Sequence, residues 1–421
     1  MTKETTLFGA GSFGSVHAKE LANLGHLGYI IDTDPTKREI AEKYGVNFIN
    51  KSPVSMINIY RDNKRNPTSH RSVPQEEKFL FNPLYDINAI KTNNWDIATN
   101  TPGHFPLILL GLDYGKNIFV EKPPAEKVSE LEYIAKNYPG AKIGVDYIEM
   151  AHPVVQANKD DMDFEPKYSF NRRSKDLRGS GRGIGGGEGS RIILEDLVHD
   201  LSEMDLFREY ALRSSFAEKP PEITNAKIQT WYELPEKENG NPKYPYSTDV
   251  RAEFALLFPD GMISEIEGGF ANSEIRQYMV IAEDRKTAEY GNTLTRPEIN
   301  PIAARVEGKK NVEYLLEKVK SRVITDQEKQ DEALKRANAE TLEERMNKYV
   351  PETKWVDGKP MYGWAPLYNM LDNFFEAESS KELICPLSQA LEYQRIAEEV
   401  YHKAGRPEAI VYKVLKGGDK K

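Results

Sequence analysis

The residues whose types and spacing first suggest chemistry lie near the beginning of the chain. Gly9, Gly11 and Gly14 form a glycine-rich turn between a predicted strand and a predicted helix. Asp32 follows Gly14 by eighteen residues, at the end of the next predicted strand. Such glycines permit a tight turn, let the backbone approach a pyrophosphate and let the helix pack on the strand. A carboxylate at Asp32 would accept hydrogen bonds from ribose hydroxyls and repel a 2'-phosphate, so the pattern predicts an NAD site and makes NADP the less favoured cofactor.

Three further segments place polar side chains after predicted strands or near a glycine-rich loop. They are Asn100-Thr101-Pro102-Gly103-His104, Glu121-Lys122-Pro123 and Glu195-Asp196-Leu197-Val198-His199-Asp200. Together with the glycine turn, they resemble the glucose–fructose oxidoreductase and inositol dehydrogenase family (Gfo/Idh/MocA). The resemblance covers most of the chain; it is strong over 5–147 and 192–206 and weaker elsewhere.

The resemblance implies three catalytic residues. The family's lysine in the Glu-Lys-Pro turn lies beside the nicotinamide and the reacting substrate carbon, and it corresponds to Lys122. An ammonium there would donate a hydrogen bond to the reacting hydroxyl and stabilise the developing alkoxide. The family's histidine corresponds to His199, which would move the hydroxyl proton because the ordinary imidazole pKa lies near neutral pH. Glu195 stands four residues earlier, where the family has an aspartate, and positions i and i+4 share one helix face.

Each of these residues also has an ordinary structural interpretation. Lys122 could be a surface lysine, and His199 could cap or brace a helix. Glu195 has a longer side chain than the family's aspartate, which leaves its substrate contact open. Residues 146–153 lack the arginine that the family carries before its proline. This departure indicates reshaped substrate contacts.

The resemblance also implies which residues line the cofactor site. For the substrate, we expect contacts from Tyr147 and His152, which lie in the segment that departs from the family pattern. For the dinucleotide, the residues are Gly9, Gly11, Ser12, Phe13, Gly14, Asp32, Asn100, Thr101, Pro102, His104, Glu121 and Lys122.

A cation-rich stretch runs from Arg172 to Arg182 and leads through three consecutive glycines towards His199. One interpretation is a flexible, solvated loop. The other is a mobile lid whose arginines clamp a phosphate or carboxylate of the substrate. In the second case Arg172, Arg173 and Arg178 would bind an anionic substrate.

The elements that must position these residues alternate between strand and helix in the first part of the chain. The apolar pattern predicts strands at 5–8, 27–31, 95–99, 117–120 and 141–147 and helices at 15–24, 38–43 and 105–114. This alternation predicts a doubly wound parallel sheet with ligands at the carboxyl ends of its strands. We therefore expect an α/β protein with an N-terminal Rossmann domain over 1–124, interrupted by an extended excursion at 51–92.

Residues 125–421 are expected to form a second, α+β domain for substrate binding and oligomerisation. Period-2 runs within 226–290 and the turn Pro259-Asp260-Gly261 predict a large, mainly antiparallel sheet with a hairpin. A charged helix is predicted at 325–348, and two amphipathic helices are predicted within 365–405.

Composition narrows the classes of protein. The 421 residues favour two domains. The net charge of -9 disfavours binding to nucleic acid or to an anionic membrane. A single cysteine indicates a reducing compartment, and seven scattered histidines predict no metal site. No signal peptide or membrane span is evident in the sequence, so we expect a cytoplasmic protein.

The resulting expectation is an NAD-dependent oxidoreductase that transfers hydride to or from a sugar, a cyclitol or a sugar conjugate. One alternative is a glycosidase that oxidises its sugar transiently and recycles NAD in place. Another is a non-catalytic NAD-binding regulator. The resemblance implies a homodimer or homotetramer.

Overall fold

The computed structural model divides the chain into two units, Met1–Ile148 with Ala339–Ala390 and Glu149–Asn338 with Leu391–Lys421. It describes residues 4–51, 92–153, 156, 165–176, 201, 216, 219–233, 237–238, 241–242, 246–271, 275–282, 287–292, 303–306, 354–356, 359–362 and 364–405.

In the first unit, strands and helices alternate as the sequence pattern predicts. The strands are β1 Thr5–Phe8, β2 Leu27–Asp32, β3 Asn47–Asn50, β4 Asn94–Ile97, β5 Asn117–Glu121 and β6 Ile143–Asp146. The helices are α1 Ser12–Asn23, α2 Arg38–Tyr44, α3 Thr101–Asp113 and α4 Val128–Asn137.

The six strands form one parallel sheet in the order β3-β2-β1-β4-β5-β6. This is the doubly wound Rossmann order, and the chain reverses direction across the sheet between β1 and β4. The loops after these two strands therefore flank the crevice where such sheets bind dinucleotides. The predicted Rossmann sheet is confirmed. Because β6 belongs to it, the sheet continues beyond the domain boundary that we expected at Pro124.

The C-terminal part of the chain returns to this sheet. Helix α5, Ala365–Glu376, buries the ring of Phe374 against Phe119 of β5, with ring centroids 5.5 Å apart. The backbone near Cys385 then bonds to β6: the amide of Val145 donates to the Cys385 carbonyl at 3.0 Å. The outer edge of β6 is thereby covered, which removes unpaired backbone groups from solvent. The predicted helix in this region is confirmed, but the structure places it with the Rossmann sheet, whereas we expected it in the second domain.

The second unit is built around a seven-stranded sheet in the order β15-β14-β13-β7-β12-β11-β8. Its strands are β7 Pro166–Asp176, β8 Glu222–Glu233, β11 Tyr246–Leu257, β12 Ile263–Ala271, β13 Ile275–Ala282, β14 Thr287–Asn292 and β15 Ala303–Val306. Four short strands form two separate pairs, β9 Lys237–Glu238 with β10 Asn241–Pro242 and β16 Lys354–Val356 with β17 Lys359–Tyr362, the latter pair belonging to the first unit. The last helix, α6, spans Leu387–Lys403.

The large sheet is antiparallel except for the parallel pair β7–β12. Ala252, Phe254 and Leu256 are buried along β11 while the residues between them are more exposed, as the period-2 pattern predicts. The predicted hairpin joins β11 to β12, and Gly261 at its turn has a φ of 85°, a value that favours glycine. The mainly antiparallel sheet is confirmed.

The prediction that the cation-rich stretch is a loop or lid from Arg172 onwards is wrong for its first residues. Residues 172–176 are the end of strand β7, which is paired with β12 on one side and β13 on the other. The backbone of Arg172 and Arg173 therefore lies within the sheet, where ladder hydrogen bonds hold it, and cannot move as a lid. The remainder of the cation-rich stretch, most of the 51–92 excursion and the predicted helix at 325–348 lie outside the described residues.

Packing of α5 can be tested at Phe374. Replacing it by Ala removes a buried ring from between α5 and the sheet, and such truncations typically cost about 3–5 kcal/mol. We expect the free energy of unfolding, measured in urea, to fall by that amount. Asp372→Ala, at an exposed position of the same helix, is the control and should change stability by less than about 0.5 kcal/mol. Equal effects of the two substitutions would contradict this packing.

Candidate active site

The glycine turn after β1 forms an open cradle at the N-terminus of α1. Gly9 has a φ of 87°, and a Cβ there would lie 2.7 Å from the carbonyl oxygen of Ala98. A Cβ on Gly14 would lie only 2.1 Å from the carbonyl oxygen of Gly9. At Gly11, by contrast, a Cβ would meet no atom within 4 Å. Two glycines thus pack the helix against the strands, while the third leaves space at a helix N-terminus, where a phosphate binds favourably.

Asp32 stands at the end of β2 beside this turn and is partly exposed. Its Oδ2 accepts a hydrogen bond from the amide of Ala10 at 2.6 Å, and its Oδ1 accepts one from the amide of Asp34 at 2.8 Å. Each carboxylate oxygen can accept a further bond. The side chain thus fixes the turn and keeps acceptors for ribose hydroxyls, which fits a dinucleotide.

The loop after β4 begins helix α3. Asn100 and Pro102 are exposed and Thr101 is partly exposed, so these residues are accessible at the switch point of the sheet. His104 is buried: its Nδ1 lies 2.8 Å from the carbonyl oxygen of Pro123, and its Nε2 lies 2.9 Å from that of Thr99. Burial lowers the pKa of His104. The imidazole therefore bridges the loops after β4 and β5, and its ring faces protein backbone.

Lys122 follows β5 directly and is half-buried. Its backbone amide donates to Oε2 of Glu121 at 3.1 Å. The Glu121 carboxylate is buried and faces the interior of the unit. The turn therefore places Lys122 at the carboxyl edge of the sheet, while the side chain of Glu121 takes part in a buried network of hydrogen bonds.

That network joins four buried ionisable side chains from α1, β4, β5 and β6. His17 Nδ1 lies 2.9 Å from Oδ2 of Asp96, and His17 Nε2 lies 3.1 Å from Oε1 of Glu121 and 3.5 Å from Oδ2 of Asp146. We call these four residues the His17 cluster. His17, Glu121 and Asp146 each offer a ligand atom within 4.8 Å of the others, a spacing that could hold a metal ion. Hydrogen bonds to the imidazole account for the same spacing.

Burial and charge act against each other in the His17 cluster. Burial alone would lower the pKa of His17, but the Asp96 charge and the bonds to all three carboxylates raise it well above its ordinary value. Burial raises the pKa of Asp96, against the opposing charge of His17. The pKa of Glu121 is lowered: burial raises it, but the hydrogen bond and charge of His17, with the charge of Lys122, outweigh burial.

Asp146 is the member whose charge is least compensated. Burial raises its pKa to about 7, and the charges of Glu121 and Asp96 act in the same direction. Its Oδ1 has no hydrogen-bond partner among the described residues. Since the imidazole has only two nitrogens and bonds Asp96 and Glu121 more closely, the third carboxylate is left to hold a proton near neutral pH.

The other residues predicted for the site are distributed differently. Tyr147 is fully buried and its pKa is raised by burial, while His152 is partly exposed and its amide donates to the Glu149 carbonyl. The backbone of Arg172 and Arg173 lies in β7. Glu195, His199 and Arg178 lie outside the described residues. Gly11, Ser12 and Phe13 are exposed around the cradle.

Sequence reasoning missed His17, Asp96 and Asp146. Each carries a signal in retrospect: His17 comes one helical turn after Gly14, and each aspartate directly adjoins apolar residues in a short strand. A carboxylate in a buried parallel strand requires a partner, because burying an unpaired charge is costly.

The sheet order, the open cradle and Asp32 define a dinucleotide-binding protein of the Rossmann class. Residues 3–139 match the family model GFO_IDH_MocA, described as an oxidoreductase family with an NAD-binding Rossmann fold. The match covers the Rossmann region of the chain and, with the cradle and Asp32, supports NAD as the cofactor. No curated protein sequence matches the chain.

Solved structures of similar fold span nearly the whole chain. UDP-N-acetylglucosamine 3-dehydrogenase GnnA from Acidithiobacillus ferrooxidans is 13% identical with a TM-score of 0.55, covering 98% of this chain and 100% of its own. Myo-inositol 2-dehydrogenase from Lactobacillus plantarum is 14% identical with a TM-score of 0.55, covering 96% and 97%. Scyllo-inositol dehydrogenase from Lactobacillus casei, with bound NAD(H) and scyllo-inositol, is 12% identical with a TM-score of 0.55, covering 96% and 97%. At these identities the likeness establishes the fold alone. None of the described helices has the length and apolar character that a membrane crossing requires.

Substitutions at two glycines of the cradle are expected to affect stability and NAD binding separately. Gly14→Ala places a methyl group against the Gly9 carbonyl, and we expect it to lower the free energy of unfolding by about 3 kcal/mol or more. Gly11→Ala meets no protein atom and should cost at most about 1 kcal/mol. We expect Gly11→Ala to weaken NAD binding at least tenfold, because its methyl group occupies the space left for the pyrophosphate. Calorimetric titration and urea unfolding measure the two effects, and unchanged NAD affinity in Gly11→Ala would argue against the cradle.

Protonation of Asp146 makes stability depend on pH. Its folded pKa of about 7 lies above the ordinary value of 3.8, so the protonated side chain contributes stability that is full below 3.8 and is lost as pH rises through 7. At 1.36 kcal/mol per pKa unit, this corresponds to on the order of 4 kcal/mol. We therefore expect the difference in the free energy of unfolding between Asp146→Asn and the wild type to shift in favour of the variant as the pH is raised from 4 to 8.

Thermal or urea unfolding at a series of pH values measures this change. Asp372→Asn serves as a surface control, because this aspartate is exposed and is not a member of the His17 cluster. A difference in stability between Asp146→Asn and the wild type that does not change with pH would show that Asp146 does not titrate in this range.

Proposed function

We propose that the protein is an NAD-dependent dehydrogenase or reductase of a sugar, a cyclitol or a sugar conjugate. The observation that carries the proposal is the position of Lys122, half-buried in the turn after β5 at the same sheet edge as the cradle. Loops at this edge of a doubly wound sheet form the ligand crevice. The solved structures of similar fold include dehydrogenases of a nucleotide sugar and of inositols, which supports this substrate class.

In this proposal the chain's residues divide the work. NAD supplies the hydride acceptor or donor when bound. The cradle at Gly11 would hold the pyrophosphate, and Asp32 would hold the adenosine ribose through its free acceptor positions. Lys122 would donate a hydrogen bond to the reacting hydroxyl oxygen and stabilise negative charge there as the C–H bond breaks. His199, with Glu195 four residues before it in the sequence, would take the hydroxyl proton in oxidation and return it in reduction.

An anionic substrate is predicted from the cation-rich stretch that begins within β7. The backbone of Arg172 and Arg173 lies in a central strand, so a mobile clamp for an anion would have to come from Arg178 and its neighbours. An anionic substrate therefore stays a prediction, and the proposal includes neutral sugars and cyclitols.

Substituting Lys122 tests the assignment. Lys122→Met removes the charge with little change in bulk, so the fold and NAD affinity should persist. We expect kcat to fall 10²- to 10⁴-fold, the typical contribution of a positioned proton-transfer or charge-stabilising group. Lys116→Met is the matched control, because Lys116 is also partly buried but precedes the same strand at its opposite end. It should retain kcat.

The assay is a screen of neutral sugars, cyclitols, sugar phosphates, uronates and sugar nucleotides, read by the absorbance of NADH. Accumulation of NADH with one of these supports a dehydrogenase. Glycoside cleavage without NADH release would indicate transient oxidation instead, and NAD binding without turnover of any compound would indicate a regulator. Near-wild-type kcat in Lys122→Met would rule out the role of that residue.

A further inference from the structure

The turn that carries Lys122 is hydrogen-bonded to the side chain of Glu121, which has no role in the proposed chemistry. Glu121 accepts the backbone amide hydrogen of Lys122 with Oε2, and its Oε1 lies 3.1 Å from His17 Nε2. One carboxylate therefore links the interior of α1 to the backbone of the proposed catalytic lysine. His17 itself is fully buried.

The other side of Lys122 is held in a similar way. The carbonyl oxygen of Pro123 lies 2.8 Å from Nδ1 of His104, which is buried in α3. Residues 121 and 123 thus each lie within hydrogen-bond distance of a buried imidazole, and the two imidazoles come from different helices. The backbone on both sides of the lysine is fixed by the interior.

The carboxylate of Glu121 needs His17 in order to remain in place. Asp96, Glu121 and Asp146 are all buried around the imidazole. Two of them are bonded to its nitrogens at 2.9 Å and 3.1 Å. Without a double donor at this point, the carboxylates would repel one another, and burial would favour their protonation or reorientation. Either change would release Oε2 from the Lys122 amide.

We propose that His17 is a positioning residue for Lys122. Its ring holds Glu121, the Glu121 carboxylate fixes the Lys122 backbone, and the backbone sets the direction in which the ammonium leaves the turn. The effect on catalysis rests on the proposed function, whereas the effect on the turn does not. Reacting groups must be placed within about an ångström, and a misplacement of that size can cost 10²-fold in rate.

The first test measures the turn without a substrate. His17→Gln carries no positive charge, and both of its N–H donors lie on one nitrogen, so it cannot bond Asp96 and Glu121 from two separate ring positions as the imidazole does. We therefore expect hydrogen exchange at the Lys122 amide to become about tenfold faster or more, the equivalent of one lost hydrogen bond. Because Pro123 and Pro124 carry no amide hydrogen, a peptide that spans the turn reports on few other sites. Mass spectrometry of such peptides from the intact protein gives the rates.

Thr6→Val is the matched control. It removes the buried hydrogen bond between the hydroxyls of Thr6 and Thr92, which lie at the opposite end of β1 and just before β4. We expect a comparable loss of stability with unchanged exchange in the Lys122 peptide. Exchange there that is the same in His17→Gln as in the wild type, or that is raised equally by Thr6→Val, would overturn the proposal.

The second test separates positioning from stability by kinetics on a substrate found in the screen. We expect His17→Gln to lower kcat ten- to a hundredfold while changing the KM for NAD by less than twofold. Glu121→Gln keeps an oxygen that can accept the Lys122 amide, so it should retain more activity than Glu121→Ala. Unchanged kcat in His17→Gln, or equal losses in the two Glu121 variants, would contradict a positioning role.

Failure of the proposed function can be distinguished from failure of the positioning proposal for His17. If no sugar is turned over, the proposed function fails while the exchange result still tests the hold of His17 on the turn. If His17→Gln does not fold, the double variant with Asp146→Asn leaves one fewer buried carboxyl group to ionise and allows the same exchange measurement. Slow, wild-type-like exchange at Lys122 in that double variant would count against the proposal.

Discussion

Helix α1 approaches the sheet more closely than side chains would permit, and most of the Rossmann unit depends on this contact. The Cα of Gly14 is so near the Gly9 carbonyl that a single methyl group would overlap it. The approach places the N-terminus of α1 at the open cradle, where its unpaired amides can face an anion. One turn further along, on the same helix face, it brings His17 to the ends of three strands. One steric constraint therefore sets both the cofactor cradle and the charged cluster at the carboxyl edge of the sheet.

The strands around His17 bring three carboxylates into the interior, and their burial costs free energy. Three carboxylates in an apolar interior are unfavourable, since each loses its hydration. An imidazolium can pair closely with two of them; burial raises the pKa of Asp146, the third, to about 7, and the charges of Glu121 and Asp96 act in the same direction. The arrangement resembles neither an exposed salt bridge nor an apolar core. Its geometry links it to the turn after β5: one oxygen of the Glu121 carboxylate is bonded to His17, and the other accepts the Lys122 amide hydrogen.

The end of the chain completes the sheet. Phe374 packs against Phe119. Gly144 of β6 leaves room for the Phe374 ring, because a Cβ on Gly144 would lie 3.3 Å from that ring. The segment near Cys385 then pairs with the outer edge of β6. A six-stranded parallel sheet needs cover on both faces and protection at its edges. Here part of that cover comes from residues more than two hundred positions later in the chain.

The sequence by itself determined the features that depend on neighbouring residues. Glycine spacing, the apolar runs and Asp32 predicted the parallel sheet, its cradle and the NAD-binding family, because local turns and strand periods are written in consecutive residues. Only the tertiary structure decided the His17 cluster, whose bonds join residues 79 and 104 positions apart. It also assigned α5 to the first sheet and the backbone of Arg172 to a central strand, where a local surplus of cations had suggested a loop. Such contacts are set by which surfaces meet when the whole chain packs, and no short segment of sequence carries that information.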